Sequence, residues 1–345
     1  MGLFQTLSFL IFVLIVALLL YALLENAFPN ATFLNNFNAT RTINLSYTTV
    51  TTQPYITHNQ TIEYALYLVN RDRANYSLGS VSLSNITSAQ QHAESMLNNG
   101  YFSHWDTYGM KPYMRYTLLG GNGAVEENIA YIYNSSGINL LNTIQDMEYN
   151  FMYNDLACCN NGHRNNILNP QHNQVSMGIA YNATTIYLVE DFIDNYVSWV
   201  SGTPSISTDG DVQLKGSISP GYSLSSVQVS YDQPVQQLTP TILNSNSSAY
   251  RGPYSYGTTI AGIGYSRGNT YYFYKNTTTI NATTYITTGQ NFDVAFNLTG
   301  QISRYGAGEY TLMVYLDNAS SSPFLGSTYT VFVNQNGKAY APSNV

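Results

Sequence analysis

Five histidines and one adjacent cysteine pair are the residues of this chain best suited to metal, proton-transfer or nucleophilic chemistry. Neutral imidazole is a good Zn²⁺ ligand, and zinc sites combine it with carboxylate, thiolate and water. The familiar local signatures are missing: there is no G-x-S-x-G, no H-E-x-x-H and no Cys/His pair in a protease context. No serine nucleophile can therefore be nominated. Cys158 and Cys159 are neighbours. Ordinary disulfides span Cα separations of about 4.4–6.8 Å, while trans neighbours sit about 3.8 Å apart. An intrachain bridge would thus be vicinal and strained. The pair reads first as two partly buried thiols or an intermolecular bridge, and second as a metal or redox pair just ahead of His163. His92 and His172 read as surface or packing residues, His58 as part of a tether, and His104, beside Trp105, as a hydrogen-bonded structural residue.

Elements that could position these groups follow from periodicity. Ile62, Ala65, Leu66 and Val69 make one apolar helical face, predicting a helix over 61–75. A second is expected over 88–98, capped by Ser84, Thr87 or Ser88 and ended at Asn98-Asn99-Gly100. A third runs over 138–153. The period then changes to two: Val175, Met177, Ile179 and Tyr181 form a strand, Asn182-Ala183-Thr184 turns, and Ile186–Val189 returns. Helices flanking a short sheet make a layered α/β/α unit. Beyond Val200, short strands such as 212–214, 227–229, 292–296, 310–315 and 329–333 alternate with Gly, Asn, Ser and Pro turns. They predict an antiparallel, Ig-like β-sandwich with an accessory binding or spacer role.

Only 9% of the 345 residues are charged, with 12 Lys+Arg, a formal net charge of −7 and 32 Tyr. Phosphate neutralisation needs clustered cations, so nucleic-acid binding is excluded. Leu3–Leu24 is one apolar run of 22 residues, long enough to cross a bilayer as a helix. No Lys or Arg precedes it and no good A-x-A site follows, so an uncleaved anchor is expected rather than a cleaved signal. Thirteen N-x-[ST] sequons, from Asn30 to Asn318, suggest a glycosylated chain whose bulk lies outside the cell. The expected organisation is an anchor over 1–25, an Asn/Thr-rich tether over 26–60, an α/β domain over 61–200 and a β-sandwich over 201–345. The whole is α+β.

Several pieces between Tyr64 and Ile193 resemble the CAP superfamily (SCP-like extracellular domains), in the family's order. They are Leu68-Val69-Asn70-Arg71-Asp72-Arg73, Gln91–Met96, Tyr101-Phe102-Ser103-His104, Glu126-Glu127-Asn128-Ile129-Ala130, Gly162–Pro170, Met177–Tyr181 and Asp191-Phe192. Glu126 stands where the family usually has Gly. The disulfide set of eukaryotic members is missing, which resembles the prokaryotic branch. The resemblance implies a three-layer α/β/α fold with two His and two acidic residues in one cleft. The matching residues are His104, Glu127, His163 and Glu148, with Asp146 or Asp155 as alternatives to Glu148. Zn²⁺ is the metal such a cleft implies, and His104 or His163 is the general base of a hydrolase reading. Because fold does not fix function, the expected role is a non-enzymatic, membrane-anchored surface module binding a lipid, glycan or peptide. The alternatives are a metal-assisted or His-based hydrolase at the same cleft and a structural or adhesive envelope protein.

Overall fold

The computed structural model describes residues 57–340 apart from 246, 275, 276, 319 and 320. The apolar run Leu3–Leu24 and the tether up to residue 56 lie outside the described residues. Among the described residues no helix is long and apolar enough to cross a membrane.

The apolar spacing from Ile62 winds into α1 (His58–Asn75). Thr57 caps it, and Gln60 completes a capping box, so His58 is the first helical residue rather than part of a tether. After the short β1 (Ser82–Leu83) comes α2 (Ser88–Asn99), which Gly100 ends in the left-handed region at φ 68°. α3 (Pro112–Leu118) and the ten-residue β2 (Ala124–Tyr133) were not expected as elements. α4 (Leu140–Tyr153) starts at an Asn139 cap, two residues inside the expected start at 138. Two short helices, α5 (Leu156–Cys159) and α6 (Gly162–Ile167), lead into the hairpin β3 (Gln174–Tyr181) and β4 (Thr185–Asp194).

The four strands order as β1-β3-β4-β2, so β2 is an edge. Alternation along β4 sorts the layers. Ile186, Leu188 and Phe192 pack with Ile62, Leu68 and Val69 of α1 and with Ile144, Met147 and Phe151 of α4. Tyr187 and Val189 pack on the other side, with Ala89, Ala93 and Met96 of α2. The approach of α2 is close enough that a Cβ on Gly178 would collide with the Ala89 carbonyl, which explains the glycine in Met177–Tyr181.

The remaining strands are β5 (Val197–Trp199), β6 (Ser205–Ile206), β7 (Asp211–Ile218), β8 (Ser223–Asp232), β9 (Thr258–Arg267), β10 (Thr270–Tyr272), β11 (Thr278–Asn281), β12 (Thr284–Thr288), β13 (Asn291–Asn297), β14 (Gly308–Asn318), β15 (Ser321–Val333) and β16 (Ala339–Tyr340). α7 (Pro240–Ser245) and α8 (Ser247–Tyr250) lie between β8 and β9, and α9 (Thr299–Tyr305) between β13 and β14. One sheet orders β12-β13-β7-β5 and the other β10-β9-β8-β14-β15-β16. Val212, Leu214, Val294 and Phe296 from the first share one core with Val227, Val229, Leu312 and Val314 from the second.

Contacts cross residue 200 extensively, and the described residues belong to one compact unit. Phe332 of β15 packs with Tyr113, Met114, Val125 and Ile193. Lys111 Nζ lies 2.6 Å from Asp232 Oδ1, and the Tyr113 hydroxyl donates to Asp232 Oδ2 at 2.5 Å. Thr328 Oγ1 donates to the Gly123 carbonyl at 2.9 Å.

Candidate functional site

Two residues of the first-helix signature hold the site's scaffold. The Asn70 side chain donates to the Val81 carbonyl at 3.0 Å and accepts from the Val81 amide at 2.8 Å, standing in for a strand neighbour. Arg73 is 1% exposed. Its guanidinium donates to the carbonyls of Gly79 (2.8 Å), Ile167 (2.7 Å), Asn169 (2.9 Å) and His172 (3.1 Å). The Ile167 and His172 carbonyls would otherwise be buried without these donors, at about 1–3 kcal/mol each. The helix signature and the Gly162–Pro170 segment are thus two halves of one hydrogen-bonded joint.

Alternation along β2 sends Val125, Glu127 and Ile129 to the α2 side and Glu126, Asn128 and Ala130 to the other. Glu127 is buried at 3% exposure, with Oε1 2.9 Å from His104 Nδ1 and Oε2 2.6 Å from Arg115 Nη2. Arg115 also donates Nη1 to the His104 carbonyl at 2.8 Å and to the Met110 carbonyl at 2.9 Å, fixing the loop that carries the imidazole. Burial, helped by the nearby Arg115 charge, pushes His104 down to about 3, so the ring is neutral. Burial raises Glu127 to about 7 although Arg115 opposes the shift. Asp191 lies opposite Glu127 on β4, and burial and the Glu127 charge hold it well above the usual carboxylate range. Ser88 Oγ donates to its Oδ2 at 2.5 Å.

His163 takes a different acid. Its Nδ1 is 2.6 Å from Asp155 Oδ1, and Asp155 Oδ2 accepts the Arg164 amide at 3.1 Å. Burial lowers His163 against the opposing effect of Asp155. Asp155, one of the alternatives to Glu148, is therefore the second acid at the site. Glu148 is elsewhere: it is 1% exposed, lines neither cavity described below, and is raised well above the carboxylate range by burial and by Glu190. The reason is helical phase: Met147, Asn150 and Phe151 of α4 and its cap Asn154 line the cavity, while Glu148 turns with Ile144 into the core against Glu190. Asp146 is exposed and lines neither cavity.

Cys158 and Cys159 form an intrachain vicinal disulfide, Cα atoms 3.8 Å apart, and not the two thiols or intermolecular bridge expected. The exposed turn of α5 provides the room: Cys158 is exposed and Cys159 half-buried. Asp155, Cys158, Cys159 and His163 place ligand atoms within 4.8 Å of one another.

Two adjoining cavities, of about 640 Å³ and about 600 Å³, run along the edge of β2. Both include Cys158, Cys159, His163, Arg251 and Gly252. One continues over Ile129–Ile132 between Phe102 and the α4 residues Met147 and Phe151. The other reaches His104, Glu127, Tyr254 and Tyr256. His104 and His163 therefore approach one groove from opposite faces of the sheet. The far wall comes from Arg251, Gly252, Pro253, Tyr254 and Tyr256, in the connection between β8 and β9. The Tyr250 carbonyl accepts the His104 amide at 2.8 Å, the Tyr254 ring lies 5.4 Å from the His104 ring, and the Tyr254 and Tyr256 hydroxyls donate to the Val125 carbonyl at 3.2 and 2.7 Å.

This arrangement joins all the motif segments from α1 to β4, and a profile of the Cysteine-rich secretory protein family (CAP) matches residues 66–197. The chain carries a CAP domain. Comparison with curated proteins returns no match. The chain is similar to an extracellular protein containing a SCP domain from Bacillus anthracis (22% identity, 41% of this chain and 45% of that one, TM-score 0.30). It is also similar to a cysteine-rich secretory protein from Staphylococcus aureus (12%, 41% and 40%, TM-score 0.29) and to the CAP domain of Enterococcal PrgA (15%, 40% and 63%, TM-score 0.29). It spans less than two thirds of each of these chains.

The CAP residues His104, Glu127, His163 and Glu148 do not fit a four-ligand zinc centre in this chain. Both oxygens of Glu127 are engaged by His104 and Arg115, and Glu148 faces Glu190. Among the described residues the only grouping with metal-ligand spacing is Asp155, Cys158, Cys159 and His163. Sequence reasoning missed Arg115, Arg251 and Tyr254, and had Asp191 only as part of a strand motif. Of the two expectations for His172, surface or packing, burial selects packing, and it is paired: Nδ1 is 2.6 Å from Asp194 and Nε2 3.2 Å from Glu126, the acid that replaces the family's Gly. The alternation of Val125, Ile129, Tyr131 and Tyr133 was a legible signal for β2. Nothing local marks the 233–257 connection as a wall of the CAP groove.

Proposed function

We propose that this chain is a non-enzymatic surface-binding module, anchored by its N-terminal apolar run with its bulk outside the cell. Its CAP part is a three-layer α/β/α sandwich over 61–200. Its second part, expected over 201–345, is an Ig-like sandwich that among the described residues begins already at β5 (Val197–Trp199): the orders β5-β7-β13-β12 and β15-β14-β8-β9 correspond to A-B-E-D and G-F-C-C′ of that plan. His104, Glu127 and His163 belong to a groove that takes a lipid, glycan or peptide.

The observation that carries this reading is the composite groove, lined mainly by CAP elements and completed by Arg251, Gly252, Pro253, Tyr254 and Tyr256. Ligand sites form preferentially where two parts of a chain meet, as the wall supplied by the accessory part does here. The hydrolase alternative fares less well. His104 is neutral and oriented by Glu127, as a general base would be, but among the described residues the groove offers it no thiol nucleophile: the cysteines lining it are bonded to each other. A structural or adhesive role is compatible, favoured by Tyr271, Tyr272 and Phe273, exposed at 45%, 44% and 57% on and beside β10. Zinc, if bound, belongs at Asp155, Cys158, Cys159 and His163. A disulfide offers no thiolate, so that site forms only after reduction.

A thermal-shift panel of an oligosaccharide, palmitate and random decapeptides tests the reading. At least one class is expected to raise Tm and to be recovered unchanged by mass spectrometry. A ligand cleaved by wild type but not by His104→Ala would overturn it.

A further inference from the structure

We propose that the groove binds an extended peptide by strand addition to the free edge of β2, with a carboxylate of the peptide on Arg251. This rests on the binding-module reading and names its ligand class.

The argument starts from strand register. In the antiparallel pair, Val125 faces Ile193, whose carbonyl is taken by the Asn173 amide on the β3 side. Val125 is therefore a pair whose backbone groups point away from β4. They do: its amide donates to the Tyr256 hydroxyl at 2.5 Å, and its carbonyl accepts from Tyr256 and Tyr254. Asn134, nine residues on, donates to the Thr184 carbonyl and so points inward. Alternation between these anchors turns the backbone groups of Glu127, Ile129 and Tyr131 outward.

Val125 has its tyrosine partners. No described residue hydrogen-bonds the outward N–H or C=O of Ile129 or Tyr131, and both residues line the larger cavity. A sheet edge with unpaired donors and acceptors is a template for another strand. Here that edge is the floor of a groove, walled by Phe102 and Tyr131 on one side and Met147 and Phe151 on the other. From Glu127 to Tyr131 the edge runs ~13 Å, matching about five extended residues. The walls suit apolar side chains that alternate sides along the incoming strand.

Charge sets one end. Arg251 is the sole cationic side chain lining either cavity besides the titratable histidines. Its Nε donates to the Phe102 carbonyl at 2.9 Å and Nη2 to Asn244 Oδ1 at 3.2 Å, which fixes the guanidinium while Nη1 donates to no described residue. A glycan or an acyl chain could occupy the groove but would not match a row of backbone groups at strand spacing. A peptide ending or carrying a carboxylate matches both features.

The test begins with selection from a phage library of random heptapeptides with free C-termini, against the full chain in detergent. The best peptide is then remade as its C-terminal amide and with single N-methyl groups at each position. Strand addition predicts a tenfold or greater loss of affinity on N-methylation at alternate positions only. It also predicts slowed amide exchange of Ile129 and Tyr131, and loss of binding in Asn150→Trp, which fills the groove from an exposed helix position. Arg251→Gln should weaken the peptide acid and leave the amide unchanged if the carboxylate is the terminal one; equal weakening of both places the contact on an acidic side chain. Binding insensitive to every N-methyl group, or no selected peptide at all, overturns the inference. If a fatty acid or oligosaccharide nonetheless binds wild type and not Asn150→Trp, the binding-module reading stands and the peptide class alone falls.

Discussion

Glu127 and Asp191 face each other directly across the antiparallel β2–β4 pair, both buried, with one guanidinium, Arg115, to serve them. Two carboxyl groups so placed cannot both ionise cheaply, so the pair retains a proton. Burial, then the Glu127 charge, holds Asp191 well above its usual range.

Asp191→Asn mimics the protonated acid and should change stability by less than about 1 kcal/mol near neutral pH, whereas Asp191→Ala should cost about 2 kcal/mol by leaving the buried Ser88 hydroxyl without its acceptor and opening a void beside Glu127. The folded pKa is raised, so the folded chain holds the proton more tightly than the unfolded one. Wild-type stability therefore falls as pH rises from about 3.9 towards the folded value. The Asn variant lacks that slope and gains on wild type across the same window. Urea unfolding at several pH values measures both. A larger loss for Asn than for Ala would contradict the shared proton.

His172 works in the opposite sense. Burial opposes its charge, but hydrogen bonds to Asp194 and Glu126 outweigh burial and raise it. Its stabilisation is fully present below the unfolded value of about 6.5 and is lost as pH rises through the raised folded value. His172→Gln should cost about 3 kcal/mol at pH 6 and distinctly less at pH 9, read from the two unfolding midpoints. A pH-independent difference would mean the imidazole is not charged in the fold.

Arg73→Met should destabilise the chain by more than about 3 kcal/mol, because four carbonyls, two of them buried, lose a donor at once. Asn70→Ala should cost about 1–2 kcal/mol. Chemical denaturation distinguishes these values, and an Arg73 variant within about 1 kcal/mol of wild type would show that the carbonyls find water instead.

Zinc content should depend on redox state. After treatment with a phosphine reductant and dialysis, about one Zn²⁺ per chain is expected, held by two thiolates, an imidazole and a carboxylate. Untreated chain and Cys158→Ser should retain far less by elemental analysis, and His104→Ala should match wild type. Equal zinc in the oxidised chain would return the metal to the two imidazoles.

Much of the fold was legible because period and burial agree. The helical spacing at Ile62–Val69 and the twofold alternation at Val175–Tyr181 each describe one buried face, and each became the expected element. The site was legible only as segments. Asp155 lies eight residues before His163 and bonds to it, whereas Glu148 has an equally plausible position in sequence and turns into the core, a choice made by the phase of α4. Tyr254 is 150 residues from His104 and meets it through a connection whose path depends on how the β-sandwich docks. No local pattern encodes that docking.

The central claim is that the edge of β2, flanked by His104 and His163, is a ligand site and not a catalytic one. Hydrogen exchange of the 124–133 segment, followed with and without a ligand chosen by thermal shift, tests it most directly. The account predicts slowed exchange in that segment with the ligand recovered intact. Protection confined to other segments, or a ligand cleaved at a rate that His104→Gln abolishes, would contradict it.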